Sequence, residues 1–151
     1  MAAGSKRELI LNAVAAKVLA LDSILQTERK PLKGISDLQA FAQTQLPLAI
    51  ILGGMPVPVD KKSDRTRKLD KVVSKLGVDV LIYALDNVTP DSTMSSIADD
   101  VWVTLYEDIT LGYKWVLDLE IVPDARVAVW DPYVAFRMLT NVTYLHDNGG
   151  I

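Results

Sequence analysis

Apolar positions recur along this chain in two rhythms, one of three and four residues and one of two, and these rhythms set its elements. Between residues 6 and 25, Leu9, Ile10, Ala13, Val14, Val18, Leu21 and Leu25 fall on one stripe of an amphipathic helix. Ser5 stands where an N-cap belongs, and Glu8 three residues later completes a capping box. Pro31 and Gly34 break this pattern, and "SDLQAFAQ" leaves room for one further short turn. The apolar run from Leu48 to Leu52 is too brief for an independent helix and predicts a buried strand.

From Val72 the rhythm changes to two. Leu76, Val78, Val80, Ile82 and Ala84 take one face of a long strand, and Lys75, Asp79, Leu81, Tyr83 and Leu85 take the other. Gly77, inside it, predicts a bulge or a close backbone approach. A second helix follows, with Met94, Ile97, Ala98, Val101, Trp102, Leu105 and Ile109 on its inner face. Its N-cap is expected among Asp91 to Thr93, and Gly112 is its C-terminal stop. In "YKWVLDLEIV", Tyr113, Trp115, Leu117, Leu119 and Ile121 alternate with Lys114, Asp118 and Glu120, as in a half-buried strand. The last strand, "PYVAFRMLTNVTYLH", points Val134, Phe136, Met138, Val142 and Tyr144 inward and Arg137, Asn141 and Thr143 outward. Asp147 to Gly150 are turn-formers that end it.

The order is helix, strand, strand, helix, strand, strand. It predicts an α+β fold: a four-stranded, mainly antiparallel sheet with two helices packed on one face, forming a single domain over residues 1–151. Leu81, Tyr83, Leu85, Val116 and Val122 leave the other face and the edges partly apolar. Exposed strand edges invite a further chain, and a symmetric oligomer would cover them.

Charge sharpens this picture. The net charge of −3 is divided unevenly: residues 1–75 carry +6 and residues 76–151 carry −9. Opposite-signed halves suit a chain that pairs head to tail or faces two partners. Lys61, Lys62, Arg65, Arg67 and Lys68 are the heart of a basic stretch, within a mobile loop expected over residues 53–68. That stretch has no aromatic residue for base stacking, so it reads as a protein-docking loop or as solvated surface, with phosphate contact a further alternative. Gly53–Gly54 lacks the following residues of a phosphate-binding loop.

Candidate chemistry is sparse. The chain has no cysteine, so thiol chemistry and cysteine-based zinc sites are excluded. No apolar run approaches the roughly 18–20 residues that span a bilayer. The start, "MAAGSKRELILNAVAAKVLALD", has the charge order of a signal peptide, but Asn12 and Lys17 interrupt its apolar stretch and argue for a helix. His146 is the one histidine, beside Asp147 at a strand end, without the spaced cluster that a metal or a catalytic triad needs. Asp99 and Asp100 diverge by about 100° on a helix, whereas Asp118 and Glu120 share a strand face. Two N-x-T triplets, at Asn87 and Asn141, read as coincidence without a leader to carry them to the secretory machinery. No cofactor is expected, and the chain reads as a non-enzyme.

Several stretches together resemble a known group. An amphipathic N-terminal helix, "LPLAII" before a variable loop, "GVDVLIYALD", a helix ending "DITLGYKWV" and the last strand "PYVAFRMLTNVTYLHDNGG" are similar to the neck and tail-completion proteins of tailed bacteriophages. Within that group the chain most resembles the tail terminators. The resemblance implies a structural virion protein in the tail or neck, made in the bacterial cytoplasm: a homo-oligomeric ring, hexameric, that caps the tail tube, ends its polymerisation and joins it to the neck connector. It implies tail-tube and neck or connector proteins as partners, no membrane, and DNA passing through the lumen without specific binding. On that reading Asp99, Asp100, Asp118 and Glu120 are candidates for an acidic channel surface. The runners-up are a head-completion or adaptor subunit of the neck and a tube-like tail subunit. A small ligand-binding domain or enzyme, with its pocket on the uncovered sheet face, stands further off.

Overall fold

The computed structural model describes residues 5–22, 24–31, 47–59, 71–85, 90–122, 126–130 and 133–147. Within them the chain runs α1 (Lys6–Leu19), β1 (Gln26–Glu28), β2 (Leu48–Gly53), β3 (Val57–Pro58), β4 (Lys71–Leu85), α2 (Pro90–Glu107), β5 (Val116–Ile121), β6 (Arg126–Trp130) and β7 (Tyr133–Asp147). The described strands form one seven-stranded sheet ordered β1-β2-β4-β7-β5, with β3 beside β4 and β6 beside β7.

The α+β class stands, but the four-stranded, mainly antiparallel sheet expected from the pattern is corrected. Three short strands join it, and β1 runs parallel to β2, so the sheet is mixed. β1 and β3 carry no periodic apolar signal long enough to read, and "ARVAVWDP" reads only as an extension of the preceding strand or a short bridge. β1 is the three residues "QTE"; β3 is two residues, one of them Pro58, and pairs only with β4. A proline lacks the N–H for a second ladder, which confines β3 to an edge. β6 continues the outer side of β7 beyond β5, pairing Arg126–Trp130 with residues 133–137.

The spine is the antiparallel pair of β4 and β7, matched without a break from Lys71↔Asp147 to Leu85↔Tyr133. Period two then decides burial. Leu76, Val78, Val80, Ile82 and Ala84 lie across from Val142, Thr140, Met138, Phe136 and Val134, and all ten are buried. Both helices cover this face: Ile10, Leu11, Val14 and Val18 of α1 and Met94, Ile97, Val101 and Leu105 of α2 complete one core with it. On the opposite face Asp79, Leu81, Tyr83, Leu139, Asn141 and Thr143 are half-buried and Arg137 is exposed. Asp79 holds Arg137 there, at 2.9 Å to Nη2 and 3.0 Å to Nε.

Local rules explain the ends. Ser5 Oγ accepts the Glu8 N–H at 3.2 Å, as an N-cap should, but the Glu8 carboxylate turns to Arg7 and Arg29 instead of closing the box. α1 stops at Leu19, well short of residue 25. The chain turns through the Leu21 and Ile24 N–H groups, and Leu25, exposed, donates to the Pro47 carbonyl at 2.9 Å. α2 begins at Pro90, where proline's missing N–H costs no helical bond. After α2, Leu111 and Gly112 both have positive φ, 53° and 82°, and reverse the chain toward β5. β4 holds no bulge at Gly77; the close approach is real instead, since the Gly77 carbonyl accepts the Gly54 N–H at 2.9 Å.

One buried group is out of place. Thr140 Oγ1 lies on the core face without a hydrogen-bond partner among the described residues. Burying a lone hydroxyl costs about 1–3 kcal/mol, so Thr140→Val should raise stability by about 1 kcal/mol. A chemical-denaturation midpoint that falls in the valine variant would mean that the hydroxyl is partnered after all.

Candidate functional site

Lys61, Lys62, Arg65, Arg67 and Lys68, the expected docking residues, lie outside the described residues. What is described of the expected loop over 53–68 is its first part, where the chain leaves β2, forms β3 and returns the Val59 N–H to the Val73 carbonyl at 3.0 Å. Met55, Val57 and Val59 are exposed there, Met55 at 72%.

The Gly53–Gly54 pair has a definite job, and it is cationic rather than anionic recognition. Arg7 donates from Nη2 to the Gly53 carbonyl at 2.8 Å and from Nε to the Gly54 carbonyl at 3.1 Å. A phosphate needs N–H groups turned toward it; here carbonyls face a guanidinium and pin the start of α1 to the end of β2.

The four acids of the expected channel surface do not share one surface of the chain. Asp118 and Glu120 pair with Thr143 and Asn141, which puts them on the open face of the sheet, at its β5 edge. Asp99 and Asp100 lie on α2, in the helical layer across the sheet, and line a shallow groove of about 230 Å³ with Leu21, Val103, Thr104 and Glu107. All four are exposed.

β5 also departs from the expected alternation. A bulge between Val116 and Asp118 inserts Leu117, so Val116, Leu119 and Ile121 face the core while Leu117 is left outside. Tyr106 of α2 reaches this edge and accepts the Ile121 N–H at 2.9 Å. A backbone donor that another strand could have used is thereby occupied.

His146 is buried and hydrogen-bonded rather than solvated. It lies 7% exposed on the core face, with Nε2 2.6 Å from Ser74 Oγ. Tyr144 packs beside it, Trp115 meets Tyr144 edge-on at 6.2 Å, and Tyr113 stacks on Trp115 at 4.6 Å. Lys6 closes the cluster, donating to the Leu145 carbonyl at 2.8 Å with Nζ 5.1 Å from the Trp115 ring centre. Burial pushes the Tyr144 phenol above its usual pKa, against the opposing charge of Arg7, so it stays neutral. A hydroxyl touching an imidazole is two-thirds of a nucleophile set. Ser74, however, is 1% exposed, so its Oγ is closed off from solvent. The group locks the N-terminus of α1 to the ends of β4 and β7. Period two already placed Ser74 on the face of Leu76, so this partner of His146 was readable in principle.

A surface that the pattern misassigned is the outer face of α2. Trp102, expected inside, is exposed and meets Tyr106 edge-to-face at 5.4 Å; Ile109, expected on the same stripe, is exposed past the helix end at Glu107. At the C-terminal end of α2 Asp108 takes the Thr110 hydroxyl at 2.7 Å and faces Lys17 at 3.6 Å. The Thr110 hydroxyl, above all, holds its carboxyl below the usual range.

Among the described residues no group of three His, Cys, Asp or Glu side chains could hold a metal ion, and no helix is long and apolar enough to cross a membrane. The chain matches no model of a known protein family and none of the curated proteins.

Proposed function

We propose that this chain is a structural subunit of a tailed-phage virion, a tail terminator. Identical copies close into a hexameric ring that caps the tail tube, ends its growth and joins it to the neck connector. No reaction is part of this role, and DNA passes through the ring without specific contacts.

The observation that carries the reading is where the exposed apolar side chains fall. Met55, Val57 and Val59 stand out where β2 leads to β4, while Trp102, Val103 and Tyr106 stand out on α2. Separate apolar patches on one small domain suit several protein interfaces better than one ligand pocket. The uneven charge of the two halves suits the same use, because complementary surfaces steer subunits together.

A tube-growth assay tests this. Tail-tube subunits of the same phage, allowed to polymerise with the protein present, should stop early and carry a ring at one end in electron micrographs. Tubes of unchanged length without terminal rings would contradict the proposal. Binding to the neck connector alone would move the protein to the neck.

A further inference from the structure

We propose that the outer face of α2 receives the basic stretch of a second copy of this chain, residues 61–68, so that subunits join head to tail. This rests on the ring reading above and names the contact that closes the ring.

α2 turns one stripe, Met94, Ile97, Val101 and Leu105, into the core. The opposite face combines two kinds of recognition. Trp102, Val103 and Tyr106 are 41%, 54% and 38% exposed, which is unusual for side chains of this size on a packed helix. Asp99 and Glu107 flank Val103 at one-turn spacing, and with Asp100, Thr104 and Leu21 they line the groove beside α1. The sequence of α2 holds no lysine or arginine, so its outer face is uniformly acidic around an aromatic pair. Lys17 is already engaged with Asp108 at 3.6 Å. Clustered Trp and Tyr beside charges is the composition of an interface centre.

The chain contains one strong complement to that face. Residues 61–68, "KKSDRTRK", carry five cations against the single acid Asp64, the densest positive run in the sequence. On the ring reading the donor is another copy. The stretch is anchored at Val59, bonded to Val73, and at Lys71, paired with Asp147. That is the end of the sheet where Lys6 reaches Leu145 and Arg7 reaches Gly53. The groove lies past the other end of α1, at Leu21. Fourteen helical residues separate the two ends, or about 21 Å at 1.5 Å per residue. The basic stretch and the acidic groove thus lie toward opposite ends of one chain, which suits the stretch of one copy meeting the groove of the next. One patch of one type meeting another type on the next copy is a heterologous contact, which closes a ring when the rotation closes.

Size-exclusion chromatography with light scattering on the full chain tests this with charge reversals. Variant one carries Asp99→Lys and Glu107→Lys; variant two carries Lys61→Glu, Arg65→Glu and Arg67→Glu. Each alone should run as a monomer at a concentration where the wild type is a ring, with assembly weakened by about tenfold or more, and an equal mixture should restore the ring. Thermal melts confirm that each variant is folded. Should variant one fail to fold, the neutral pair Asp99→Asn and Glu107→Gln replaces it, with partial loss of assembly expected. Variants that still form rings, or a mixture that stays monomeric, overturn this contact while leaving the ring itself standing. A wild type that is monomeric overturns both.

Discussion

Tyr144→Ala should lower the stability of the fold by about 3–5 kcal/mol, the range for truncating a large buried aromatic. Tyr144 is fully buried and stands between the ends of β7 and β4, the N-terminal turn of α1 and the segment that leads into β5. It touches Trp115 on one side and His146 on the other, and Trp115 in turn carries Tyr113 and the Lys6 ammonium. Removing its ring leaves a void between Trp115 and His146 in the core. Urea denaturation measures the loss. Tyr144→Phe keeps the packing and tests the hydroxyl separately, with a cost of about 1 kcal/mol expected. A loss below about 1 kcal/mol in the alanine variant would mean that this cluster does not anchor α1.

Gly53→Val should cost about 2–3 kcal/mol, because the core there has no space to give. A Cβ on Gly53 would lie 2.8 Å from both terminal carbons of Leu11 and 3.2 Å from Arg7 Nη2. Leu11 is fully buried, so its side chain has little room to yield and the added carbons strain the packing of α1 on β2. Arg7, which holds the Gly53 and Gly54 carbonyls, is crowded as well. The neighbouring glycine supplies the contrast. A Cβ on Gly54 meets nothing closer than the Gly77 carbonyl oxygen at 3.8 Å, an ordinary contact, so Gly54→Ala should change stability by no more than about 0.5 kcal/mol. Equal melting temperatures for the two variants would refute the steric reading.

Much of the frame was legible in the sequence because burial follows period where an element is long. β4 and β7 have fifteen residues each, and every inward position read from their alternation is buried. Where the pattern failed, a specific force overrode it. β1 is too short and polar to have a period, so the parallel edge that makes the sheet mixed left no trace. In β5 one inserted residue shifts the phase, exchanging Leu117 for Val116 on the core face. On α2, steps of three and four connect Ala98, Trp102, Leu105 and Ile109 as smoothly as Met94, Ile97, Val101 and Leu105. Only packing against the sheet selected the second set and left Trp102 outside, while the helix stops at Glu107 before it reaches Ile109.

The candidate surfaces were legible by charge but not by place. Asp118 and Glu120 do share a face, as strand spacing requires. Their expected companions Asp99 and Asp100 sit on α2, in the helical layer across the sheet from the face that Asp118 and Glu120 take. His146 drew notice as a lone imidazole, yet its setting is set by Ser74, distant in sequence and brought across by the β4–β7 register.

The mass and shape of the purified wild-type chain bear most directly on a ring-forming subunit. Light scattering should give the mass of a hexamer, and negative-stain images should show a ring with a central hole. A monomer at every concentration tested, with no ring on the grid, would contradict it.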